Sequence, residues 1–203
     1  MSSERRETFL STMLWPQSRM FKNALALSQA TMSAFSTASQ PTGTDTGTDE
    51  RRTGEDISAG EDRPGWETEL TVEDATELGV GDEVRFTKSV DDADVRRFAA
   101  ASGDTNPIHL DEAAASETRF GGRIAHGTLV GGLISAALAR LPGTVVYLSQ
   151  DMEFLAPVEL DSELTATCRI VEDLGDSQFR LTTVIESDGE TCIDGEAVVL
   201  IEG

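Results

Sequence analysis

Residues 102–111 read SGDTNPIHLD and place a carboxylate, Asp104, five positions before an imidazole, His109, across an Asn-Pro turn. A carboxylate and an imidazole that hold one water between them can take a proton from it and pass a proton on, which is general acid–base chemistry. The same residue types also serve turns. Asp104 suits an Asx turn after Gly103, Asn106 before Pro107 suits turn chemistry, and Asp111 suits a helix N-cap. Spacing alone leaves both readings open. Further on, His126-Gly127 opens a helical stretch. A helix N-terminus presents unpaired N–H groups and a partial positive charge, which suits a developing oxyanion. Gly127 adds no Cβ to obstruct a ligand there. His126 reads as a structural residue that fixes the loop before the helix.

These groups need elements to hold them. GVGDEVRF predicts a turn and then a strand over about 83–89. DDADVRRFAAASG predicts a helix capped by Asp91 or Asp92, with Val95, Phe98 and Ala99 inward and Gly103 at its end. A short helix is expected over about 111–117. In HGTLVGGLISAALARL, apolar residues from Leu129 to Leu141 keep helical spacing, and Gly127, Gly131 and Ser135 form a stripe of small residues. That helix is apolar enough to be buried all round. Taken alone, Ser135 reads as a small packing residue. Four Val-, Ile- and Thr-rich runs follow, at about 144–155, 162–173, 178–187 and 191–202, with LGDS and SDGE as turns. Short connections make them antiparallel, and a buried helix on such a sheet is an α+β architecture.

The chain has 203 residues and a formal net charge of −21. That charge argues against nucleic acid and against anionic membrane surfaces as partners. Only Lys22 and Lys88 are lysine, and heavy Asp and Glu with little Lys resembles the proteins of salt-loving archaea, in which salt screens self-repulsion. Cys168 and Cys192 lie far apart, and the expectation is buried free thiols in a reducing cytosol. With only two histidines, no metal site is expected. No apolar run is long enough to span a membrane.

Three segments emerge. Residues 1–38 carry an amphipathic spacing through Phe21, Leu25, Met32 and Phe35, which reads as a docking helix for a partner or an apolar surface, or as a weakly ordered tail. Residues 39–65 are rich in Thr, Gly, Asp and Glu and read as an acidic disordered linker. Residues 66–203 read as the folded domain.

FAAASGDTNPIHLD, then RIAHGTLVGGLISAAL, then FLAPV, in that order, resemble the MaoC-like hydratases, and among them the (R)-specific enoyl-CoA hydratases. The resemblance implies the hot-dog fold, a long central helix wrapped by a curled antiparallel sheet, as a homodimer in the cytoplasm. It implies interconversion of trans-2-enoyl-CoA and (R)-3-hydroxyacyl-CoA without cofactor or metal, including supply of polyhydroxyalkanoate monomers. It implies that Asp104 and His109 activate water and move the proton, that the Gly127 N–H holds the thioester oxygen, and that Ser135 supports the site. Phe154 and Pro157 match a structural strand motif. Other readings of the same pattern are a hot-dog acyl-CoA thioesterase and a non-catalytic acyl-CoA-binding scaffold.

Overall fold

The computed structural model describes residues 57–203, so the expectation for 1–38, and that for 39–65 as far as residue 56, lie outside the described residues; of the rest of that segment, Asp62 pairs with Arg140. The strand-forming runs give β1 (Glu67–Leu70), β2 (Glu83–Val90), β3 (Thr144–Phe154), β4 (Ser162–Gly175), β5 (Gln178–Ser187) and β6 (Glu190–Glu202). They form one antiparallel sheet in the order β1-β2-β4-β5-β6-β3. The LGDS and SDGE turns join β4 to β5 and β5 to β6. Asp176 and Ser177 (φ 51° and 59°), then Asp188 and Gly189 (φ 50° and 81°), take the left-handed pairs that fit strand twist at tight hairpins.

Before the main helix come α1 (Asp92–Ser102), α2 (Pro107–Leu110) and α3 (Glu112–Ser116). The NPIH segment read as a turn is a one-turn helix. The main helix, α4 (Gly127–Leu138), lies on the sheet and buries Val130, Leu133, Ile134, Ala137 and Leu138. Burial of each large aliphatic side chain contributes roughly 1.5–3 kcal/mol. One helix on an antiparallel sheet is the expected α+β, hot-dog arrangement.

Two expectations are corrected. The sheet is open, with β1 and β3 at its edges, and does not wrap the helix. The helix is consequently not buried all round: Thr128, Gly132 and Ser135 form an exposed row of small residues. Within the small-residue stripe only Gly131 is buried; Gly127 and Ser135 are exposed. A Cβ at Gly131 would lie 2.9 Å from the Met152 sulfur, so glycine lets the helix settle on β3. At its far end the Arg140 guanidinium stacks 3.8 Å over Phe86 and also lies over Trp66.

Cys168 on β4 and Cys192 on β6 are free and buried, with β5 between their strands. Burial pushes the Cys168 thiol up to about 12.

Gly195 on β6 faces Met152 on β3, where a Cβ would lie 2.1 Å from the Asp151 carbonyl oxygen. Backbone on both sides leaves nothing flexible to yield. Gly195→Ala is expected to lower unfolding free energy by about 1–3 kcal/mol in urea titrations.

Candidate active site

The Asp104–His109 segment is built from short-range caps. The Asp91 side chain accepts the Asp94 N–H and starts α1, and Gly103 (φ 80°) ends it in the left-handed conformation. Asp104 therefore emerges at the helix end, where its Oδ1 accepts the Asn106 N–H at 3.2 Å. Asn106 Oδ1 accepts the Ile108 N–H at 3.2 Å, and Pro107 opens α2 with the φ a helix needs. Asp111 both closes α2 and caps α3, accepting from Ala113 and Ala114. One helical turn carries His109 from this exposed stretch into the interior, where it is 9% exposed. Asp104 takes the Asx turn and also stands beside His109. One carboxylate oxygen caps, while the side chain lies within 4.8 Å of the histidine ligand atoms.

His109 is held from two sides. Its Nδ1–H donates to the Ile124 carbonyl at 2.8 Å, which leaves Nε2 carrying the lone pair. The Arg123 Nε–H donates to the His109 carbonyl at 2.7 Å. The Arg123 guanidinium also pairs with Asp92, which takes a second bond from Arg96 at 2.7 Å. These bonds, from Arg96 first and Arg123 second, hold the Asp92 carboxyl below its ordinary range. The Ala125 N–H donates to Val158 at 2.8 Å and ties the same loop to the chain after β3.

His126 does more than fix its loop. It is 1% exposed, its Nε2–H donates to the Asp104 carbonyl at 3.1 Å, and its ring lies 3.9 Å from that of His109 at 30°. Phe98 packs on it with ring centroids 4.9 Å apart. Its Nδ1 has no hydrogen-bond partner among the described residues. The residue after it, Gly127, opens α4, and no side chain caps that end. Its N–H stays available for a ligand.

His109 and Gly127 share a cavity of about 260 Å³ with Phe120, Val130, Phe154 and Pro157. Its floor is tight. A Cβ at Gly127 would sit 2.8 Å from the Phe154 ring. Phe154 and Pro157, read as structural strand residues, thus line the site; the FLAPV motif carried that signal. Asp104 is exposed beside His109 and does not line the cavity. Ser135 is not brought to this site. It lines a second cavity, of about 390 Å³, with Thr128, Gly132, Tyr147, Leu148 and Gln150.

Asp104, His109 and His126 place one ligand atom each within 4.8 Å of one another. The two imidazoles lie face to face with a 30° tilt, and each commits one ring nitrogen to a backbone carbonyl, leaving one lone pair apiece. The hydrogen bonds require opposite tautomers in the two histidines. Imidazole 15N shifts are expected to place the proton of His109 on Nδ1 and that of His126 on Nε2; the same tautomer in both would contradict this geometry.

Comparison with known proteins places the chain among dehydratases and hydratases of acyl thioesters by similarity. A 3-hydroxybutyryl-CoA dehydratase of Methylorubrum extorquens is 40% identical over 136 residues, covering 66% of this chain and 87% of that one. An (R)-specific enoyl-CoA hydratase of Aeromonas caviae is 40% identical over 129 residues, covering 62% and 96%. Among solved structures, the unliganded R-hydratase of Pseudomonas aeruginosa superposes with a TM-score of 0.60 at 40% identity, covering 62% of this chain and 83% of that one. The (R)-hydratase of A. caviae involved in PHA biosynthesis gives 0.61 at 37%, covering 63% and 100%. Residues 74–191, more than half of the sequence and including Asp104, His109, the start of α4 and the FLAPV strand end, match the MaoC like domain, and the chain belongs to that family.

Proposed function

We propose that this protein is a hydro-lyase that interconverts trans-2-enoyl-CoA and (R)-3-hydroxyacyl-CoA. The observation that carries the proposal is the Asp104–His109 pair beside an apolar cavity that also receives the free N–H end of α4 at Gly127. The relatives' names supply the thioester and the handedness. In the hydration direction Asp104 and His109 hold a water. Its oxygen bonds to the β-carbon, one proton is taken up by the pair, and one is delivered to the α-carbon. The double bond's electrons move onto the carbonyl oxygen as the enolate forms, and the Gly127 N–H stabilises it there. Losing such a donor typically costs about 2–4 kcal/mol of barrier. An enoyl thioester is already electrophilic at the β-carbon, so the reaction calls on no metal or organic cofactor.

A second copy of this chain is the proposed partner. β3 is an edge strand of 11 residues, and Val146, Tyr147 and Leu148 are exposed on it next to the open face of α4. A long apolar edge of this kind is covered in stable proteins. The cytoplasm is the proposed location, and supply of hydroxyacyl units for polyhydroxyalkanoate the proposed use, by analogy with the A. caviae protein. Residues 1–38 are proposed as the element that docks on a granule or protein partner, and residues 39–65 as its linker.

Purified full-length protein with crotonyl-CoA is expected to bleach the conjugated thioester absorbance and yield (R)-3-hydroxybutyryl-CoA on chiral analysis. Free CoA as the main product would indicate a thioesterase and sink the hydratase reading. Asp104→Asn is expected to reduce kcat by about 10²–10⁴-fold with little change in melting temperature, and His109→Ala by a similar factor in a protein that folds but melts lower, because a buried ring and its bond to the Ile124 carbonyl are lost. Light scattering is expected to give twice the 21.8 kDa chain mass, and a single-chain mass would exclude the dimer.

A further inference from the structure

Carrier thioesters are polyanions, yet this chain carries a net charge of −21. Ten Arg or Lys side chains lie in the described region. Nine of them sit within 4.0 Å of a carboxylate. The tenth, Arg119, has no carboxylate partner among the described residues. It follows α3 on an exposed stretch and lines the cavity that holds His109 and Gly127. Its guanidinium lies over the Phe120 ring, 4.8 Å from the centroid. Stacking of this kind orients the planar fork while leaving its N–H edge open to hydrogen bonding.

We propose that Arg119 is a binding residue for a phosphate of the substrate's carrier arm. This rests on the enoyl thioester reading above. The reacting end enters an apolar cavity, so the arm leaves through the open side, where Arg119 stands. A cation already held by a carboxylate would have to exchange one anion for another. Arg119 exchanges only water, and its fork matches a phosphate in bidentate geometry. Among the described residues, pairing the other nine cations with carboxylates leaves Arg119 as the cation open to an anion, and it lines the cavity that holds His109. Phosphates of CoA and the single phosphate of a protein-bound phosphopantetheine share this chemistry.

The test compares wild type, Arg119→Ala and Arg119→Lys on crotonyl-CoA, crotonyl-4′-phosphopantetheine and phosphate-free crotonyl-pantetheine. The readout is the ratio of kcat/KM for each phosphorylated substrate to that for crotonyl-pantetheine, which cancels any general loss of activity. For Arg119→Ala the crotonyl-CoA ratio is expected to fall about tenfold, the scale of a hydrogen bond to a charged group. Arg119→Lys should fall less, since it keeps the charge without the fork. An equal fall for the phosphopantetheine substrate identifies the 4′-phosphate as the group held; a fall confined to crotonyl-CoA identifies the nucleotide phosphates. Unchanged ratios in an active enzyme overturn the phosphate site alone, whereas a folded wild type that hydrates none of the three overturns the hydratase reading with it.

Discussion

The His126 side chain is the contact on which the site depends. Through its Nε2–H it fixes the backbone at Asp104, through its ring it lies against His109, and through its own peptide bond it places Gly127 at the head of α4. Three groups from three separate elements thus refer to one imidazole. Its burial makes the arrangement stiff, because a side chain that is 1% exposed and packed by Phe98 has few alternative rotamers. Misplacement of reacting groups by about 1 Å can cost on the order of 100-fold in rate, so a shared reference point matters more than any single bond strength.

Around this contact the chain uses very short elements. α2 has four residues and α3 has five, too short to persist alone in water. They hold because Asn106 and Asp111 satisfy their leading N–H groups and because Arg123 ties the His109 carbonyl to Asp92 at the start of α1. The Asp92 carboxylate contributes that tie fully above its unfolded pKa, and the contribution is lost as pH falls through its lowered folded value. The sheet and α4 supply the large apolar burial, and this polar frame supplies direction.

Much of this was legible in the sequence. Strand limits followed from β-branched runs and turn residues, and α1 followed from an Asp cap and a closing Gly. The Asp104–His109 pair was visible as types and spacing, although spacing could not separate catalysis from capping, because the structure uses Asp104 in an Asx turn beside the histidine. Three things were not legible. A hydrophobic helix pattern does not say which face stays open, so Ser135 and Gly127 were grouped in one stripe although they line different cavities. A buried histidine gives no periodic signal, so the reach of His126 to Asp104, 22 positions away, required the fold. The curl of the sheet came from resemblance, and strand pattern carries no measure of it.

The register of β3 against β6 skips one residue between Tyr147 and Ser149. Val145 pairs with Ile201, and Phe154 pairs with Ile193. On β6 these partners are an even number of positions apart and both point to the core. On β3 the corresponding residues are an odd number apart, and a regular strand would send them to opposite faces. The extra residue corrects that parity. It lets one edge strand anchor the core at its start and still turn the Phe154 ring toward Gly127 at its end. The shape of the cavity floor is therefore encoded some six residues upstream, in a bulge that does not itself line that cavity.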